Sequence, residues 1–130
     1  YCPTGIIQIL QRIRSPFNAN SPAMAAAIAA VRDTHYIDKI RLHTAAWQQR
    51  MEKELSALGI RVIPSAANFY LLNFNQCANK TAPEAASFLE AEGIIPRPVS
   101  ASGGDDVLRI TVGLDVENEA VIAALTKYMS

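Results

Sequence analysis

The chain has 130 residues, half of them hydrophobic, with 12 Lys and Arg set against 12 Asp and Glu. That length suits one domain, and the composition supports a packed core rather than low-complexity disorder. A zero net charge without a basic stripe argues against a nucleic-acid partner. No apolar run approaches the roughly 20 residues that cross a bilayer, and no basic start with an apolar core resembles a secretory leader.

Two cysteines, Cys2 and Cys77, lie far apart, with no Cys-x-x-Cys and no metal-ligand spacing. This usage fits a reducing, cytoplasmic setting. The chain starts without Met at Tyr1-Cys2-Pro3 and enters a helical pattern almost at once, which suggests an excised or truncated piece.

In chain order, Thr4 is placed to cap a short helix with a stripe of Ile6, Ile9, Leu10 and Ile13. Arg14 to Asn20 break it. Ser21-Pro22 reads as an N-cap followed by Pro at the first helical position, opening an Ala-rich helix to Val31. A longer helix is predicted over Thr34–Leu58, its stripe formed by Ile37, Ile40, Trp47, Met51, Leu55 and Leu58, with Gly59 as its stop.

The period then changes. Ile60–Ile63 and Asn68–Phe74 read as an antiparallel strand pair. Thr81-Ala82-Pro83-Glu84 has capping-box spacing and opens a helix carrying Ala85, Phe88, Leu89 and Ala91, ended by Gly93. Ile94–Arg97 is a short strand that Pro96 and Pro98 mark as an edge. Residues 101–106 form a small Gly-rich loop, Val107–Val112 the last strand, and Asp115 caps a final helix with Val121, Ile122, Leu125 and Met129 inward. The order predicts an α+β (α/β) fold, helices packed on a small, mainly antiparallel sheet. No internal repeat and no linker long enough to divide the chain is visible.

Arg109 is the sharpest candidate for chemistry. Strand alternation sends Leu108, Ile110 and Val112 to the core and Arg109 and Thr111 to the other face. A guanidinium there offers a planar fork that matches a carboxylate or phosphate. Arg97 is the second candidate: if the two short strands pair, Arg97 and Arg109 share a face, and two such forks suit a dianion. The bland alternative makes each an exposed strand arginine, paired with a nearby acid or simply solvated. Asn18 and Asn20 flank a turn and are read as possible backbone caps. His35 and His43 stand eight apart on one helix with no third ligand, so no metal is assigned. Trp47 reads as core. There is no Gly-x-Ser-x-Gly, no phosphate-cradling Gly-x-x-x-x-Gly-Lys and no Gly-x-Gly-x-x-Gly. The lysines, Lys39, Lys53, Lys80 and Lys127, have no apolar context that would favour Schiff-base chemistry.

Several motifs, in order, resemble histidinol-phosphate aminotransferases. Arg14-Ser15-Pro16-Phe17-Asn18-Ala19-Asn20 resembles their Arg-x-Pro-Phe-Asn-x-Asn segment, and Ser65-Ala66-Ala67-Asn68-Phe69 their Ser-x-x-Asn-Phe. Gly93-Ile94-Ile95-Pro96-Arg97 resembles Gly-Ile-Ile-x-Arg, and Leu108-Arg109-Ile110-Thr111-Val112-Gly113 with Glu117-Asn118 resembles Leu-Arg-Ile-Thr-Val-Gly and Glu-Asn. The resemblance implies that residues 1–20 are the end of a large, cofactor-bearing domain and 21–130 the C-terminal small domain of a fold type I aminotransferase. It implies that Arg109 binds an anionic group of the substrate, usually the α-carboxylate, and that Arg97 helps to bind the phosphate of histidinol phosphate. Pyridoxal 5'-phosphate would serve the full-length enzyme, a homodimer acting on a small-molecule substrate. The family's cofactor lysine, pyridine-pairing Asp and cofactor-side Tyr have no match here, so this chain alone is expected to hold no cofactor and to be inactive without its large domain. Other readings are a threonine-phosphate decarboxylase or other aminotransferase on the same fold, a free-standing amino-acid-binding regulatory module, and an interaction domain.

Overall fold

The structure is a computed structural model that describes residues 2–16, 18–99 and 106–130. Apart from Asp106, the Gly-rich loop expected over 101–106 lies outside the described residues, as does Phe17 of the Arg14 segment. The chain divides into two compact units, residues 1–38 and 39–130.

The first unit contains α1 (Thr4–Ile13), α2 (Ser21–Arg32) and the first residues of α3 (Thr34–Ala57). Its caps differ from expectation. Pro3, not Thr4, stands at the N-cap of α1, and no side chain caps that end. Proline fixes φ near the helical entry, and the Pro3 carbonyl takes the N–H groups of Ile6 and Ile7 instead. Asn20, not Ser21, caps α2: its Oδ1 accepts the Ala23 N–H at 2.8 Å, placing Ser21 and Pro22 inside the first turn. The Arg14 guanidinium donates to Asn18 Oδ1 at 3.3 Å across the intervening turn. Neither α1 nor α2 buries a residue.

The second unit carries the core. The rest of α3 is followed by β1 (Arg61–Ile63), β2 (Phe69–Asn73), α4 (Ala82–Ala91), β3 (Arg97–Pro98), β4 (Val107–Thr111) and α5 (Asp115–Met129). The four strands form one antiparallel sheet in the order β1-β2-β4-β3. The α+β architecture expected from the sequence is therefore present. Tyr70, Leu72, Leu108 and Ile110 face the core, where Trp47, Met51 and Leu55 of α3, Leu89 of α4 and Val121 and Leu125 of α5 complete it. Of the stripe expected along α3, Ile37 and Ile40 stay exposed; only the part from Trp47 onward is covered.

Two glycines end helices as expected. Gly59 (φ 85°) lets Ile60 N–H return to the Leu55 carbonyl at 3.1 Å, and Gly93 (φ 82°) lets Ile94 N–H return to Leu89 at 2.8 Å. Both are left-handed C-caps, a conformation costly for most residues and cheap for glycine. Thr81 closes the expected capping box: its Oγ1 accepts from Glu84 N, and Glu84 Oε2 accepts from Thr81 N. The strand expected over Ile94–Arg97 forms only at Arg97–Pro98. Pro96 and Pro98 have no N–H to give a ladder, so pairing is confined to two residues at the sheet edge, and Ile95 is left exposed. At α5, Leu114 rather than Asp115 is the N-cap residue, its N–H held by Glu117 Oε2 at 2.7 Å. Asp115 instead accepts the Trp47 indole N–H at 2.6 Å.

Candidate anion-binding site

The register decides the site. Arg97 of β3 lies directly opposite Arg109 of β4, so both side chains leave the sheet on one face. Both line a pocket of about 670 Å³ at the β4 edge. Its remaining wall comes from Gly93 to Ile95 after α4, from Ile110 and Gly113 at the end of β4, and from the first turns of α5. The juxtaposition that the sequence left conditional on strand pairing is thus present.

Arg109 is half-buried and Arg97 exposed. The Arg109 guanidinium stacks over the Phe69 ring, with Cζ 5.1 Å from the ring centroid. Stacking uses the flat face of the fork and leaves its N–H edges for a ligand. Its Nε is buried without a hydrogen-bond partner. Among the described residues no carboxylate pairs with Arg97 or Arg109. An orphaned charged donor in a hollow is costly unless an anion arrives to take it.

The carboxylates that share the pocket wall are already engaged. Glu92 takes Lys127 at 2.6 Å, and Glu117 takes the Leu114 N–H. Glu92 is neutralised by Lys127 while Glu117 keeps its charge, so the two arginines leave the lining net positive. A larger hollow, about 820 Å³, runs along α3 beside Arg50. It is a poorer candidate. The Arg50 fork is filled by Glu119 (2.5 and 3.0 Å) and Glu54 (2.5 Å), which hold that guanidinium well above its ordinary pKa. Its charge is already matched by two carboxylates.

Sequence reasoning did not single out the turn that closes the pocket. Asn118 is buried, with Oδ1 accepting the Gly113 N–H and Nδ2 donating to the Gly113 carbonyl, both at 2.9 Å. A Cβ at Gly113 would press on the Glu117 side chain, whose carboxylate would have to shift to admit a larger residue. His43 also reaches the Gly113 carbonyl, at 2.9 Å. The only sequence signal for this turn was that Gly113, Glu117 and Asn118 fall together in the matched motif.

Pyridoxal phosphate needs an amine for its covalent link. No lysine lines this pocket. Lys80 Nζ is spent on the Tyr128 carbonyl at 2.5 Å, and Lys127 on Glu92. The pocket residues fit an anion and do not fit a covalently held aldehyde cofactor. Among the described residues no group of His, Cys, Asp and Glu is arranged to hold a metal, and no helix is long and apolar enough to cross a membrane.

A helix-backed antiparallel sheet offering two guanidinium forks to one hollow defines an α+β domain with a candidate anion-binding pocket. The chain belongs to the aminotransferase class I and II family, whose model matches residues 1–125. It is 44% identical, over 98% of its length, to a histidinol-phosphate aminotransferase of Rhodopseudomonas palustris (strain BisA53), and 41% identical over 99% to histidinol-phosphate aminotransferase 1 of Caulobacter vibrioides. It spans 35% and 36% of those relatives, about a third of their length. The crystal structure of histidinol-phosphate aminotransferase from Sinorhizobium meliloti, solved with pyridoxal-5'-phosphate, superposes with a TM-score of 0.82 at 29% identity, over 96% of this chain and 34% of that one.

Proposed function

We propose that this chain is the substrate-side, C-terminal part of a histidinol-phosphate aminotransferase, exchanging the amino group between histidinol phosphate and 2-oxoglutarate. Residues 21–130 form its small domain, and residues 1–20 belong to the end of the large domain. Arg109 receives the substrate carboxylate, glutamate in one half-reaction, and Arg97 helps to receive the phosphate. The observation that carries this reading is the pair of facing arginines in one pocket, one with a buried orphan N–H.

The division of labour follows from the side chains. Arg109, stacked on Phe69, is pre-ordered and loses little entropy when an anion binds. Exposed Arg97 adapts to the anion's size. Pyridoxal phosphate, when bound in the full-length enzyme, supplies the electron sink for amino-group transfer. Its lysine, and the surface that makes a cytoplasmic homodimer, would lie in the part of the relatives that this chain does not span. The 130-residue chain is accordingly inactive by itself.

Two measurements test this. Inorganic phosphate titrated into the chain should shift the Arg109 Nε–H resonance, and Arg109→Ala should weaken binding about tenfold or more, as expected for a charge-assisted fork. In the full-length enzyme the same change should raise KM for glutamate with the fold intact; unchanged kinetics would remove the assignment. Added pyridoxal phosphate should leave no borohydride-reducible adduct at a single lysine of the isolated chain.

A further inference from the structure

β4 is held unequally along its two sides. Toward β2 it pairs over all five residues, but toward β3 it pairs at Leu108 and Arg109, with one further bond from the Val99 N–H to the Val107 carbonyl. Among the described residues, the side of β4 that faces the pocket has no strand beside it from Ile110 onward. Toward β2 the Val112 N–H still donates to the Asn68 carbonyl at 2.8 Å, and the turn that follows is fixed by three hydrogen bonds on Gly113, the residue that also forms the pocket wall. Two come from Asn118. The third comes from His43 of α3, 70 residues away in sequence.

We infer that His43 is a positioning residue for the anion pocket: its Nε2–H pins the Gly113 carbonyl and so holds the turn after β4 that walls the pocket beside Arg109. This rests on the anion-binding reading above. The chemistry fixes the tautomer. A carbonyl oxygen can only accept, so the bond to Gly113 requires the proton on Nε2. Nδ1 then faces Asp115 Oδ1 at 3.8 Å, too far for a hydrogen bond, while that oxygen is already taken by the Trp47 indole at 2.6 Å. Trp47 lies one turn beyond His43 on α3, so one helix face grips both ends of the Gly113–Asp115 turn. Losing the His43 bond leaves Asn118 and the core intact, but the Gly113 carbonyl then rests on the Asn118 Nδ2–H bond alone, and the turn that walls the pocket is held less tightly. The cost falls on the wall that seats an anion against the two forks, and a small displacement of the anion weakens a bidentate contact strongly.

The test uses His43, because Asn118 is buried and its loss also opens the start of α5. With inorganic phosphate as probe, His43→Ala should weaken binding about fivefold, the worth of roughly one neutral hydrogen bond. His43→Gln, whose amide N–H sits where Nε2–H does, should restore affinity to within about twofold of the parent. Equal affinity of the Ala variant and the parent, or failure of Gln to rescue a folded variant, overturns the inference. Imidazole 15N spectra of the unaltered chain give an independent reading that needs no variant: the Nε2–H tautomer is expected, and an Nδ1–H tautomer overturns the inference. If Arg109→Ala leaves phosphate binding unchanged, the anion-binding reading itself fails. If Arg109→Ala abolishes binding while His43→Ala does not alter it, only the positioning role fails.

Discussion

Two buried polar atoms without partners, the Tyr70 hydroxyl and Arg109 Nε, have opposite meanings. The Arg109 atom belongs to a half-buried side chain that lines a pocket, where the proposed anion would meet its guanidinium. Tyr70 is 2% exposed and packs among core residues, so its hydroxyl has only lost water. Burial pushes the phenol well above its usual value of 10.0. Tyr70→Phe removes a desolvated hydroxyl and no hydrogen bond, so it should raise stability by about 1 kcal/mol. The pH dependence has a definite sign. A folded-state pKa raised above the unfolded one gives stability that is complete below about pH 10 and falls as pH rises, because the unfolded phenol ionises first. The Phe variant should therefore lose less stability than the parent between about pH 9 and 11 in urea melts. Tyr128 retains its own alkaline contribution, raised by burial and by the charge of Glu84, but its hydroxyl reaches the Thr81 carbonyl at 3.3 Å. A drop of more than about 1 kcal/mol on Tyr70→Phe would reveal a partner for the hydroxyl, such as a trapped water.

At the scale of elements, what was legible in the sequence was whatever local chemistry decides. Thr81 with Glu84, Gly59 and Gly93 act within a few residues of themselves, and each ends its helix where its type predicts. The box at α4 should be worth measuring: Thr81→Ala gives up the bond to Glu84 N and should cost about 1 kcal/mol, with Thr81→Ser close to neutral. A second acceptor nearby, Asp106 Oδ1 on the Ala82 N–H at 2.8 Å, sets the lower end of that range if it can move to cover Glu84. Less legible were choices between adjacent residues of similar capability. Asn20 and Ser21 are both good caps, and Leu114 with Glu117 displaced Asp115, because the indole of Trp47 claims that carboxylate from 68 residues away. The facing of Arg97 and Arg109 was readable as a conditional statement, since strand alternation fixes the face but not the register. The His43 bond to Gly113 was not readable at all: periodicity reports which side of a helix is apolar and says nothing about which distant carbonyl a histidine will meet.

The same limit governs the whole molecule. The stripe along α1 was read correctly as helical, but a stripe says only that something apolar should cover it, not that this chain does. Ile6, Ile9, Leu10 and Ile13 are 49–75% exposed, and Met24, Val31, Ile37 and Ile40 also stay open to solvent. In the second unit, by contrast, Met51, Leu55, Leu72, Leu108 and Leu125 are fully buried. An apolar surface of that extent is unusual on a soluble monomer and should bind hydrophobic dyes even when the core is rigid. Ile9→Lys with Ile13→Lys should therefore lower binding of an anilinonaphthalene dye. No buried contact is lost at either position, so the near-ultraviolet signal of Trp47 and the urea midpoint of the second unit should stay where they are. Dye binding that depends instead on loosening of the core would be unaffected by these lysines and would rise as the Trp47 signal fades. A fall in the urea midpoint on making the double change would mean that the stripe is covered in solution, by association or by docking, and that the exposure read from the structure does not describe the free chain.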